Sequence, residues 1–326
     1  MNTIRIYPDD TRIGYLGYCD LMRTNVTATG RRNGIDSEHW IDSPCSTINF
    51  AAAAEHITFH LKYSCKKDSV NRAHYHGVGT VLVNGEKKFL FGRLNDFGHE
   101  QIFNISSGTS DHFSKYEIVL PVADCVEFLG LEVDEHAQLR ATEEVQRKRY
   151  IAYGDSITQG FIATDPTCSY AWQLARNKEW ELVNMGFGSH CAAASDGETL
   201  AGLRPSILTI LIGVNDYLQK VSLNEFQRKT SELVARFRTR IAEIPVFIIT
   251  PLPIAGSGEW KKHDHELEGY RDVIRKIAAG MNDAYLFCIE GESLVNKDPR
   301  YFHDPIHPND AGFAKIASTL CKLVQL

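Results

Sequence analysis

Tyr150-Ile151-Ala152-Tyr153-Gly154-Asp155-Ser156-Ile157-Thr158-Gln159-Gly160 runs from an apolar stretch through a glycine into a polar turn and a helix-type start. A serine on such a strand-to-helix turn is expected to be exposed, with its own N–H at a helix start. Both features suit a nucleophile whose transition state places negative charge on a carbonyl oxygen. Gly154-Asp155-Ser156 equally suits a plain turn that caps a helix, because Asp and Ser are favoured caps. The surroundings decide between these. Apolar runs at 149–153, 180–185, 206–212, 246–250 and 284–289 alternate with helix-type stretches, among them 223–241, 267–279 and 309–324. Leu267, Tyr270, Ile274 and Ile277 recur at helical spacing. Near-continuous apolar strands with helical crossovers predict a parallel sheet covered on both faces, in a three-layer α/β/α domain over 148–326. Chemistry in such folds gathers at the carboxyl ends of the strands.

Three further segments sit at those ends or just before the last helix. Asn184-Met185-Gly186-Phe187-Gly188-Ser189-His190 follows the second strand, and its glycines allow close backbone approach or simply a tight turn. Gly213-Val214-Asn215-Asp216 ends the third strand, where the Asn215 amide can donate to an oxyanion or the pair can cap a helix. His303-Asp304-Pro305-Ile306-His307-Pro308-Asn309-Asp310 offers a histidine with a carboxylate three residues before it, the pairing that a general base needs. The other reading is a surface histidine beside a helix cap. Each segment alone is modest; four in order, each at the carboxyl end of a proposed strand or on the loop before the last helix, are not.

The first 147 residues have a different grammar. Short β-type segments at 13–18, 46–50, 57–63, 78–83, 88–91, 116–121 and 126–133 are divided by turn signals, and Asn84-Gly85 marks a hairpin. This spacing predicts a β-sandwich or jelly roll.

The second half resembles the SGNH, or GDSL-type, hydrolase superfamily. The resemblance rests on Gly154-Asp155-Ser156-Ile157-Thr158-Gln159-Gly160, Asn184-Met185-Gly186-Phe187-Gly188, Gly213-Val214-Asn215-Asp216 and Asp304-Pro305-Ile306-His307-Pro308-Asn309-Asp310, all in family order. It implies a flavodoxin-like fold with Ser156 as nucleophile, His307 as general base and Asp304 as its orienting partner. It also implies an oxyanion hole made by the Ser156 N–H, a second-block N–H and the Asn215 side chain. Relatives often read N-x-G-x-x-G in the second block, and here the last glycine is Ser189. The donor is therefore Ser189 or, with a shifted loop, Gly188. More weakly, Gly14-Tyr15-Leu16-Gly17-Tyr18, Thr47-Ile48-Asn49-Phe50 and Val81-Leu82-Val83-Asn84-Gly85 resemble the jelly-roll domain that precedes some SGNH carbohydrate deacetylases. A few acyltransferases share that layout. The expected activity is hydrolysis of short-chain O-esters, acetyl foremost, of a carbohydrate or small-molecule alcohol. The alternatives are an acyltransferase and an inactive carbohydrate-binding protein. Such chemistry needs no cofactor or metal.

Composition bounds the rest. The 326 residues carry 35 Lys plus Arg and 41 Asp plus Glu, a net charge of −6. The first 147 hold 15 basic and 20 acidic residues and the remainder 20 and 21, so neither half has the basic excess of a nucleic-acid binder. The charged N-terminus lacks the apolar core of an export signal, and no run approaches the roughly 20 apolar residues of a membrane span; a cytoplasmic location is expected. The eight cysteines contain no C-x-x-C pair and are expected to be reduced and mostly buried. His74, His76, His99 and His112 have no partner at metal-ligand spacing and read as surface histidines. Trp260, on a glycine-rich loop after the fourth strand, can stack on a sugar or pack that loop, and Tyr217 has a weaker claim of the same kind. Residues 261–265 read as a solvated surface.

Overall fold

Alternating inward and outward side chains on long antiparallel strands build the first half of the chain. The computed structural model describes residues 2–31, 44–64, 77–92, 98–143 and 146–325. They fall into two units: Met1–Gln146 with Asp165–Thr167, and Arg147–Thr164 with Cys168–Leu326.

The first unit contains β1 (Thr3–Ile6), β2 (Gly14–Leu16), β3 (Asp20–Arg23), β4 (Ala28–Arg31), β5 (Thr47–Ser64), β6 (Gly79–Val83), β7 (Glu86–Phe91), β8 (Glu100–Val119), β9 (Cys125–Asp134) and β10 (Gln138–Arg140). Seven run in the order β3-β4-β9-β5-β8-β6-β7, with β1 added on β9 and both β2 and β10 on β5. Ile57, Phe59, Leu61 and Tyr63 point inward at every second position of β5 and join Phe103, Ile105, Phe128 and Leu131 in the core. Asn84 and Gly85 both have positive φ, 53° and 85°, as a two-residue β6–β7 hairpin requires.

The expected strands at 46–50 and 57–63 are one 18-residue strand. Ala51–Ala54, too small to show an alternation, continue it. Register shifts between Ala52 and His56 bend β5, so that β2 and β10 pair with its start and β9 with its end.

The second unit has β11 (Arg149–Gly154), α1 (Ser156–Gln159), α2 (Tyr170–Asn177), β12 (Glu181–Gly186), α3 (Asp196–Gly202), β13 (Ile207–Leu211), α4 (Val214–Leu218), α5 (Leu223–Arg238), β14 (Val246–Ile249), α6 (Glu259–Gly280), β15 (Leu286–Ile289), α7 (Gly291–Leu294) and α8 (Asp310–Leu323). All five strands are parallel, in the order β12-β11-β13-β14-β15. This is the flavodoxin-like order, whose switch point lies beside β11. Helix α2 packs on α8, while α3, α5 and α6 pack in series, completing three layers. Residues 150–153 and 207–210 are fully buried, and the hydroxyls among them are paired, Tyr150 with Thr209 at 2.8 Å.

Helix α6 begins at Glu259, eight residues before the expected 267, so Trp260 lies in its first turn and not on a loop. Apart from Trp260, polar residues fill its first two turns, and Gly258 gives no side-chain cap. The expected solvated stretch 261–265 includes Asp264, 5% exposed and bonded to Arg271, Lys297 and the Ile254 N–H. Among the described residues no helix is long and apolar enough to cross a membrane.

Candidate active site

Ser156 opens α1 directly after β11, with Asp155 as N-cap accepting from the Ile157 N–H at 2.9 Å. The turn is tight enough to demand glycine behind it. A Cβ on Gly154 would lie 2.2 Å from Thr158 Oγ1 and 2.4 Å from the Leu211 carbonyl. Ser156 is 8% exposed, less open than expected, because the His307 ring lies against its hydroxyl. The Oγ stands 2.9 Å from His307 Nε2.

The opposite nitrogen, His307 Nδ1, is 2.7 Å from Asp304 Oδ2, while Asp304 Oδ1 accepts the Ile306 and His307 N–H groups, each at 2.8 Å. Burial works to raise the Asp304 carboxyl, but the hydrogen bond and charge of His307, with those two N–H groups, hold it down at about 2. The loop is fixed at both ends: Ala255 donates to the Pro305 carbonyl at 2.7 Å, and Asn309 caps α8 through the Gly312 N–H. Phe161 packs on the His307 ring, centroids 4.8 Å apart.

Asn215 lies in the first turn of α4, entered through Gly213 at φ 118°. Its Nδ2 is buried and has no acceptor among the described residues, an arrangement that is unfavourable until an acceptor arrives. In the second block, Asn184 bridges inward: Nδ2 donates to the Thr158 carbonyl at 2.9 Å and Oδ1 accepts the Gly186 N–H at 2.9 Å. A Cβ on Gly186 would meet Gln159 N at 2.1 Å, whereas one on Gly188 would meet only Gln159 Oε1, at 3.8 Å. Ser189, not Gly188, has the left-handed backbone, φ 62°, the conformation glycine adopts freely. That is a physical reason for glycine at this position in the block's usual pattern.

Two buried carboxylates lie below the site. Burial pushes Asp155 up to about 7 against the Ile157 N–H and the charge of His307, and burial also raises Asp216 against the Ala192 N–H. Asp196 and Tyr153, bonded to His190, escape sequence reasoning, since 43 residues separate the tyrosine from the aspartate.

Tyr217 and Trp260 converge on His263. The Tyr217 hydroxyl donates to Glu266 at 2.8 Å and also meets His263 Nδ1, and the Trp260 ring, 36% exposed, lies 5.4 Å from the His263 ring. His263 was expected only as surface. Elsewhere, His99 and His112 are exposed, and 74–76 lie outside the described residues. No group able to hold a metal ion occurs among the described residues. Of seven cysteines described, Cys45 and Cys125 are buried, four are half-buried and Cys288 is exposed, so the thiols are less buried than expected.

Residues 152–315 match the GDSL-like Lipase/Acylhydrolase family. No curated protein sequence matches the chain. Among solved structures, the salicylyl-acyltransferase SsfX3 from a tetracycline biosynthetic pathway is similar, with a TM-score of 0.83 and 14% identity over 97% of this chain and 95% of that one. A GDSL-like lipase from Bacteroides ovatus has a TM-score of 0.81 and 18% identity over 99% and 98%. A family two carbohydrate esterase from Clostridium thermocellum, solved with cellohexaose, has 0.69 and 14% over 91% and 97%. At these identities the likeness is one of fold.

Proposed function

Because the chain belongs to the GDSL-like lipase/acylhydrolase family, we propose that it is a serine esterase removing short acyl groups, acetyl foremost, from O-esters of a carbohydrate or another small alcohol. The observation that carries this reading is the unbroken relay Ser156 Oγ–His307–Asp304 at 2.9 and 2.7 Å.

His307 Nε2 takes the Ser156 proton as Oγ attacks the ester carbonyl. Asp304 holds the other ring nitrogen and stabilises the imidazolium that forms. The tetrahedral oxyanion is met by the Ser156 N–H, the second-block N–H, assigned to Ser189 on its backbone conformation, and Asn215 Nδ2. His307 then gives its proton to the departing alcohol, and water repeats the sequence on the acyl-enzyme. Trp260, with Tyr217 and His263 behind it, offers a flat apolar face of the kind on which a sugar ring stacks.

A panel of acetylated sugars and graded aryl esters, with Ser156→Ala as control, tests the proposal. Turnover should be fastest on acetyl esters and vanish in Ser156→Ala while the variant stays folded. Near-native turnover by Ser156→Ala would remove Ser156 as nucleophile. A second reading, transfer of the acyl group to an alcohol, is favoured by the fold shared with the salicylyl-acyltransferase. Transfer exceeding hydrolysis when alcohol acceptors are added would select it. The relay speaks against a binding protein without activity, which a fluorophosphonate failing to label Ser156 would revive.

A further inference from the structure

We infer that a Tyr153–His190–Asp196 cluster, with Tyr153 and Asp196 buried and His190 half-buried, positions the second-block oxyanion donor, so that His190 governs turnover through the loop 187–192 without touching substrate; this rests on the esterase reading above.

His190 directly follows Ser189. Its Nε2 lies 2.6 Å from the Tyr153 hydroxyl and 2.9 Å from Asp196 Oδ2, and the hydroxyl donates to that same carboxylate oxygen at 2.6 Å. Since a carboxylate only accepts, the Tyr153 proton goes to Asp196 and the tyrosine oxygen is left to accept from His190. Tyr153 is fully buried, and burial together with the Asp196 charge keeps its hydroxyl protonated. The three groups come from separate elements. Tyr153 is in β11, three residues before the nucleophile, and Asp196 opens α3. The Phe187 ring closes the cluster, 3.8 Å from that of His190.

The same loop is also held by α4 and its C-cap residue, Gln219. Asp216 accepts the Ala192 N–H, 3.2 Å to each oxygen, and Gln219 Nε2 donates to the Ser189 carbonyl at 3.1 Å. Helix α4 therefore carries one oxyanion donor, Asn215, and grips the loop that carries another. Such a grip is needed because Ser189 sits at φ 62°. A side chain disfavours that region, and the conformation persists only where neighbours over-determine it. A donor displaced by about 1 Å is enough to lower turnover by about 100-fold.

Steady-state hydrolysis of an aryl acetate by the full chain tests this, using His190→Ala, His190→Gln, Tyr153→Phe and Ser156→Ala, with thermal midpoints recorded. His190→Ala should lower kcat by about 10- to 100-fold with KM changed less than about threefold. His190→Gln, whose side-chain N–H reaches toward the Nε2 position, should recover kcat to within about threefold of the native chain. Tyr153→Phe, which keeps the ring, should lower kcat as His190→Ala does. A kcat for His190→Ala within about twofold of native, or a loss that His190→Gln does not recover, overturns the inference. If His190→Ala does not fold, Tyr153→Phe decides, and an unchanged kcat there overturns it. Turnover surviving in Ser156→Ala would instead overturn the esterase reading. A dead Ser156→Ala beside unaffected His190 variants removes the positioning role alone.

Discussion

At Asn215 an amide nitrogen is buried with no acceptor among the described residues, while the proposed nucleophile is already paired with its base. Placing a donor there without a partner lowers stability, and an oxyanion forming in the transition state would supply the acceptor. Asn215→Ala should therefore lower kcat by about 10²- to 10³-fold, about 2.7–4 kcal/mol of transition-state stabilisation, with KM little changed. The thermal midpoint should hold or rise, because the variant also removes a buried unpaired group. An unchanged kcat would take Asn215 out of the oxyanion hole. Asp304, held at about 2 by His307, is ionised across the working range. Its contribution to stability is present above the ordinary carboxylate value of 3.8 and disappears only as pH falls through about 2. Ser156, Asp304 and His307, which the fold brings together, were legible in the sequence because each stands in a short local pattern, at a strand end or on the loop before the last helix. His190 was not, because its meaning lies in Tyr153 and Asp196, which local spacing cannot join to it.

Helix α1 carries its own pH dependence through its cap. Asp155 binds the Ile157 N–H but is buried, and its carboxyl is pushed from 3.8 up to about 7. The folded chain thus keeps a proton that the unfolded chain sheds, and stability falls as pH rises from the ordinary carboxylate range through 7. Asn caps helices as well as Asp, so Asp155→Asn should gain stability over the native chain between pH 5 and pH 8. The displacement from 3.8 to about 7 sets a ceiling of about 4 kcal/mol. Denaturant unfolding at both values checks this, and a difference between the two proteins that stays constant with pH would contradict it. The same scale shows where sequence patterns run out. The central strands of the parallel sheet, β11, β13 and β14, were legible because both their faces are buried, which leaves near-continuous apolar runs. The start of α6 was not, because its first eight residues, Glu259 to Glu266, contain Trp260 as their one large apolar side chain and its apolar stripe begins at Leu267. The first half of β8 alternates properly, with Gln101, Phe103 and Ile105 buried and Ile102 exposed, but its polar continuation toward Ser114 has the composition of a loop.

The whole molecule divides into two units whose membership does not follow the chain. Asp165–Thr167, which lie between α1 and α2 in sequence, belong to the first unit. Asp165 supplies most of the polar contacts that tie them there, beside the Cys45 thiol's contact with the Pro166 carbonyl at 3.7 Å. Asp165 Oδ1 accepts from the Thr80 hydroxyl at 2.8 Å and from the Thr167 hydroxyl and N–H at 2.6 and 2.9 Å, and its Oδ2 pairs with Lys87 Nζ at 2.6 Å. The carboxylate is 2% exposed and Lys87 42%. Burial alone would raise the carboxyl, but Lys87 and the two threonines hold it below the ordinary carboxylate range, so its stabilisation is complete above about 4 and is lost as pH falls below that. No pattern could have found this contact, since 85 residues separate Thr80 from Asp165. Asp165→Ala would strip the acceptor from the Thr80 hydroxyl, which is fully buried, and from the Thr167 N–H, at about 2–4 kcal/mol. Asp165→Asn keeps an acceptor oxygen for the threonines and gives up the ion pair with Lys87, whose side chain is 42% exposed. It should lose less than half as much. The two variants, compared by denaturant midpoint at pH 7, separate hydrogen bonding from charge: equal losses would make the Lys87 pair the main tie, and no loss in either would mean that the segment is held by something other than Asp165.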